Sequence, residues 1–126
     1  MIEEFKIYIV NLKKDKNRRK NIIREVEKQN LTNYEIIDAI DGNKLNQNDL
    51  NIATFKNKKN LNPWNNKMSP SQIGCALSHI KVYQNFIKTE FEVALILEDD
   101  AIFLKDFDNN LKKLILKNFK FRKQIV

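Results

Sequence analysis

Residues 92–103 read EVALILEDDAIF. Five apolar residues, Val93 to Leu97, run directly into Glu98, Asp99 and Asp100. A short, continuous apolar run suits a strand of a parallel sheet covered on both faces. In such sheets ligands bind beyond the carboxyl ends of the strands, where these three carboxylates stand. In an extended chain Glu98 and Asp100 point to one side and Asp99 to the other. Crowded carboxylates need a cation, a proton or basic neighbours. One answer is a hard divalent ion, Mg2+ or Mn2+, shared with phosphate oxygens. The other is a turn capped by Asp99 or Asp100, with Glu98 paired to a Lys.

The rest of the chain supplies the partners of that strand. FKIYIVNL, residues 5–12, is β-branched and aromatic and predicts a first strand. Asp15 is placed to cap a helix running to Gln29, with Ile22, Ile23 and Val26 as its apolar stripe. YEIIDAIDG, residues 34–42, predicts a second strand closing on an Asp-Gly turn. Residues 43–68 are polar and Asn-rich. They predict a short helix at 47–55 and then a flexible loop in which Trp64 either caps a ligand or anchors to the core. Ser69, Pro70 and Gln72 spell a helix start with a capping box. Its buried stripe is expected at Ile73, Ala76, Leu77, Ile80 and Ile87, with Gly74, Cys75 and Ser78 as a small face for close approach to another backbone. A last helix, capped by Asp106 or Asp108 and running to Phe119, would turn Phe107, Leu111, Leu114 and Ile115 inward. The alternation predicts one α/β domain over 1–126 with a mostly parallel sheet of three strands. An unpaired sheet edge makes a homodimer a reasonable expectation.

The chain carries 23 Lys+Arg against 16 Asp+Glu, a formal net charge of +7. That balance favours anionic partners such as phosphorylated small molecules or an acidic membrane surface. Aromatic residues sit in apolar strands and helix stripes, without the basic-aromatic platform of a nucleic-acid binder, so no nucleic acid is expected. A single cysteine, Cys75, excludes an internal disulfide; with a single histidine, His79, it argues against zinc and for a reducing compartment. On their own, His79 reads as a half-buried structural residue and Cys75 as an unreactive thiol. The first residues lack the pattern of a signal peptide, and no apolar run has the length of a membrane span. A cytoplasmic protein is expected, with docking on the inner membrane face left open. Asn11 closes the first strand, and an amide there can read a base or ribose. Arg18 and Arg19, near the following helix start, can hold a phosphate or lie solvated on its surface.

Four blocks in order, IYIVNLKKDKNRR (7–19), IIDAIDGNKL (36–45), SPSQIGCALSHIKVY (69–83) and ALILEDDA (94–101), resemble glycosyltransferase family 25, the lipooligosaccharide and lipopolysaccharide glycosyltransferases. They match its Asn-Leu and double-Arg opening, its Asp-Ala-x-Asp-Gly-x-x-Leu block, its Gly-Cys-x-Leu-Ser-His helix and its Leu-Glu-Asp-Asp motif. One departure is Ser71-Gln72, where the family often has Gly-Glu. The resemblance implies a Rossmann-like, A-type nucleotide-sugar transferase fold. It implies inverting transfer of a hexose, galactose from UDP-galactose, to a hydroxyl of a glycolipid acceptor, with Mn2+ or Mg2+. It assigns donor binding to Asn11, Leu12, Arg18, Arg19, Asp41, His79, Glu98 and Asp99, and the metal to Asp100 with Glu98. Family members run longer, so the acceptor half and its general base are expected to be missing. That leaves a donor-binding half, or a non-catalytic remnant or subunit that works with a partner chain.

Overall fold

The structure is a computed structural model that describes residues 5–53, 68–118 and 124–125. Residues 54–67, with Phe55, Trp64 and most of the expected loop, lie outside the described residues, as do Phe119 and most of the C-terminal tail. Strands β1 (Lys6–Asn11), β2 (Tyr34–Asp38) and β3 (Val93–Glu98) form a parallel sheet with a short β4 (Gln124–Ile125), in the order β2-β1-β3-β4. The sequence reading had no fourth strand; β4 pairs with β3 at two positions, Val93 with Gln124 and Ala94 with Ile125. Helices are α1 (Lys16–Lys28), α2 (Gln47–Ala53), α3 (Pro70–Phe86) and α4 (Phe107–Asn118), and a 3-10 turn spans Gly42–Lys44.

The two-residue period of the strands sorts their side chains into two cores. Ile7 and Ile9 of β1 and Val93, Leu95 and Leu97 of β3 face α1 and α4, where they bury Ile22, Val26, Leu111 and Ile115. Tyr8, Ile37 and Ala94 face the other way and pack with Val82 and Phe86 of α3. Tyr8 and Phe86 meet edge to face, with ring centroids 6.4 Å apart. The sheet thus lies between a layer of α1 and α4 and a layer of α3, a Rossmann-like α/β arrangement.

Three helix expectations change. Asp15 stands at the N-cap of α1 but makes no side-chain cap bond; its carbonyl instead accepts from Arg19 N and Asn11 Nδ2. In α4, Leu111 and Ile115 are buried, whereas Leu114 is exposed. In α3 the cap is as read, with Ser69 and Gln72 making a reciprocal capping box. Its buried residues, however, are Ile73, Gly74, Ser78, Val82 and Phe86, while Ala76, Ile80 and Ile87 are exposed. The cause is a glycine contact. A Cβ on Gly74 would lie 2.5 Å from both Gly42 N and Ile40 O, and one on Gly42 would lie 1.6 Å from Pro70 O. These are the only two glycines in the chain. Their backbones touch, and Ser78 seals the contact by accepting from Ile40 N at 2.8 Å and donating to Gly74 O at 2.7 Å. Cys75 does not share that face; it is exposed on another side of α3.

Candidate functional site

The turn from β1 to α1 and the carboxyl ends of β2 and β3 come together around Asn11. Strand order reverses between β1 and β3, because β2 lies on one side of β1 and β3 on the other. That switch point is where open α/β sheets place ligands. Asn11 is 1% exposed. Its Nδ2 donates to Asp99 Oδ2 at 2.8 Å and to Asp15 O at 3.3 Å, and its Oδ1 accepts from Arg19 Nε at 2.7 Å. Arg19 also reaches Asp38 Oδ1 at the end of β2, at 2.8 Å. Both ends of the Asn11 amide are engaged within the protein, so its expected contact with a base or ribose would compete with these bonds. Arg19 is likewise braced by two internal partners.

Arg18 differs. Its side chain is 62% exposed and lies 3.6 Å from Asp99 Oδ1. It is a cation at the mouth of the crevice whose internal pairing is long. Leu12 is half-buried, and its carbonyl accepts from Asp15 N in the turn into α1. Asp41 caps the 3-10 turn by accepting from Asn43 N, and takes Lys14 Nζ at 3.1 Å. The Lys14 ammonium, then the Asn43 amide, hold its carboxyl below the usual aspartate range.

The acidic motif is not extended beyond Glu98. Ala101 N donates to Glu98 O at 3.1 Å, which closes a turn with Asp99 and Asp100 at its centre. Strand parity and this turn divide the three carboxylates. Asp99 goes to Asn11 and Arg18 on the α1 side. Glu98 shares the parity of Ala94 and Ile96 and faces α3, where it meets His79 Nε2 at 3.5 Å and Cys75 Sγ at 3.7 Å. Partial desolvation of the thiol, with the Glu98 carboxylate adding, raises the Cys75 pKa. The ring of His79 stands edge to face with Tyr83. Asp100 is exposed and makes no hydrogen bond or ion pair among the described residues.

A hard divalent ion takes one or two carboxylates and completes its shell with phosphate oxygens and water. Asp100 fits that role, being a free carboxylate beside the crevice. Glu98, expected to assist it, is turned instead toward a sulfur and an imidazole. Sequence reasoning overlooked Asp38 and Lys14, and it discounted Cys75 because no partner adjoins it in the sequence. The signal that could have found the Cys75 contact was the Cys-x-x-x-His spacing, which puts both side chains on one helix face.

Comparison with known proteins places the chain. Procollagen galactosyltransferase 2 of Mus musculus is 34% identical over 113 residues, which cover 86% of this chain and 18% of that protein. Procollagen galactosyltransferase 2 of Homo sapiens is 32% identical over 111 residues, with the same shares. A glycosyltransferase 25 family member of Aedes aegypti is 27% identical over 111 residues, again 86% of this chain and 18% of that protein. The chain thus spans about one fifth of the length of these curated relatives. Residues 4–125 match the family described as "Glycosyltransferase family 25 (LPS biosynthesis protein)", and the chain belongs to that family.

Proposed function

We propose that this chain is the nucleotide-sugar-binding part of a metal-assisted, inverting glycosyltransferase. It would take UDP-galactose as donor and transfer the hexose to a hydroxyl of a lipooligosaccharide or lipopolysaccharide glycan at the cytoplasmic face of the membrane. The observation that carries the reading is the cluster of charged and amide side chains at the carboxyl ends of β1, β2 and β3, where the strand order reverses. There an exposed cation, Arg18, and an exposed carboxylate, Asp100, accompany a hydrogen-bonded brace in which Asn11 is buried, Asp99 and Arg19 are half-buried and Asp38 is exposed. Family membership and the names of the galactosyltransferase relatives support the reaction class and the sugar.

The roles follow from exposure. Arg18 binds diphosphate oxygens, since its guanidinium is free to trade a long contact for a charge-assisted one. Asn11 and Arg19 hold Asp99 and the β2 end in place, so that the site is formed before the donor arrives. Asp100 would hold Mn2+ or Mg2+, and the ion, when bound, neutralises the charge of the diphosphate leaving group. The proton of the acceptor hydroxyl needs a base, and none of the residues named above is given that task.

Thermal unfolding with UDP and Mn2+ tests the reading. The pair raises the melting temperature of the wild type, because a ligand that binds only the folded state stabilises it. Asp100→Ala abolishes the Mn2+-dependent part, and Arg18→Ala weakens UDP binding by about tenfold, the loss of one charge-assisted contact. No shift with UDP or another nucleoside diphosphate would overturn the donor reading. An equal shift in Asp100→Ala would remove that carboxylate from the ion.

A further inference from the structure

The donor reading leaves Cys75, His79 and Glu98 without a task, yet their donor atoms converge. Cys75 Sγ and His79 Nε2 stand 3.7 Å and 3.5 Å from Glu98 Oε1, and all three atoms lie within 4.8 Å of one another. Among the described residues this is the one group of three or more potential ligands that meets so closely. A tetrahedral zinc ion binds sulfur at roughly 2.3 Å and nitrogen or oxygen at roughly 2.0–2.2 Å, so its ligand atoms stand about 3.3–3.6 Å apart. Two separations are already close to that, and small side-chain rotations close the third.

The scaffold suits the task. Cys75 and His79 are four residues apart on one face of the capped helix α3, and Glu98 ends the central strand β3. Two rigid elements thus present one sulfur, one nitrogen and one oxygen. A mixed set with a thiolate and an imidazole selects zinc-class ions over Mg2+ or Ca2+, which take oxygen ligands. His79 is steadied from the side by Tyr83, at 6.3 Å between ring centroids.

We propose that Cys75, His79 and Glu98 form a three-ligand site for a borderline divalent cation of the zinc class, with a fourth position open to solvent. Structural zinc sites are closed by four protein ligands, whereas three with an open position leave room for water or an added oxygen ligand. Cys75 and Glu98 are both exposed, so the open position faces outward on the α3 side of the crevice. The site is built from this chain alone and does not depend on the donor reading.

Cobalt(II), a spectroscopic substitute for zinc, provides the test on the full chain after chelator treatment, with no nucleotide present. The wild type gives a thiolate-to-cobalt charge-transfer band and the intense visible absorption of a tetrahedral ion. Zn2+ displaces both at a single equivalent, and excess Mg2+ does not. Cys75→Ser loses the charge-transfer band. His79→Ala and Glu98→Gln each weaken Zn2+ binding by about 100-fold or more, since removing an outer partner of a ligand alone costs about 10–100-fold. Absence of the thiolate band in the wild type, or unchanged Zn2+ affinity in Cys75→Ser or His79→Ala, overturns the site. Failure of UDP to bind leaves this result untouched, so the two readings fall separately.

Discussion

Asn11 and Tyr8 are both buried on β1, and their polar atoms give them opposite effects on stability. Removing the buried Asn11 amide leaves Arg19 Nε and Asp99 Oδ2, both on half-buried side chains, each short of a partner. An orphaned buried group costs about 1–3 kcal/mol. Asn11→Ala therefore lowers stability by about 2 kcal/mol, read as a fall in the urea midpoint. Asn11→Asp fares no better, because it sets a second carboxylate against Asp99. The Tyr8 hydroxyl is fully buried and finds no hydrogen-bond partner among the described residues. Burial, and then the charge of Glu35, raise its pKa. Tyr8→Phe keeps the ring contact with Phe86 and drops the unsatisfied hydroxyl, so it raises stability by about 1 kcal/mol. A lower midpoint for Tyr8→Phe would contradict this. The sequence marks Asn11 as unusual, because an amide ends an apolar strand. It does not say whether the amide faces a ligand or the interior, since that depends on where Arg19 and Asp99 fold.

At the scale of elements, the contact between α3 and the turn after β2 shows what a sequence pattern can and cannot reveal. The start of α3 was legible because Ser69, Pro70 and Gln72 act locally, through bonds among neighbours. Its rotation was not. Apolar residues lie on several sides of the helix, so Ile80 and Ile87 looked as fit for the core as Val82 and Phe86. The choice is made by Gly42, some thirty residues upstream, against which only the Gly74 and Ser78 face can settle. The existence of a small-residue face was legible; that Cys75 lies off it was not. Gly74→Ala weighs the two influences. Helix propensity alone favours alanine by about 1 kcal/mol. The new methyl would lie 2.5 Å from Gly42 N and Ile40 O, which are backbone atoms with no rotamer to yield. Overpacking of this kind costs about 1–3 kcal/mol, and here it adds the loss of fit around Ser78. The variant therefore melts below the wild type, and the β2 end loses its alignment with Arg19. A variant that melts higher would show that α3 does not rest on Gly42.

In the whole molecule, the strand period assigns each end-of-strand side chain to a layer. Asn11 and Asp38 share the α1 side with Arg19, and Glu98 faces α3. The α/β class and the placing of acidic groups at strand ends were legible because parity and hydrophobic runs are properties of the sequence. Which carboxylate meets which partner also depends on the turn after Glu98, which the acidic run offered as one of two readings without fixing the partners. The pairs Lys14–Asp41, Arg19–Asp38 and Arg18–Asp99 tie the turn after β1 and the first turn of α1 to the ends of β2 and β3 and the segment after β2. Acid should loosen the Lys14–Asp41 link, as protonation of Asp41 removes that pair and adds to a formal net charge of +7. Asp41 gives the sign. Lys14 and the Asn43 amide hold its folded pKa below the ordinary aspartate value, which is about 3.9 in an unfolded chain. Between those two values the unfolded state binds more protons, so stability rises with pH in that window. The contribution is complete above the unfolded value and is lost as the pH falls through the folded one. Urea midpoints measured across the acid range should therefore fall less steeply for Asp41→Asn than for the wild type, with the variant already less stable at neutral pH. Parallel acid limbs would show that the Lys14–Asp41 link contributes nothing to holding the β1 turn against the 3-10 turn after β2.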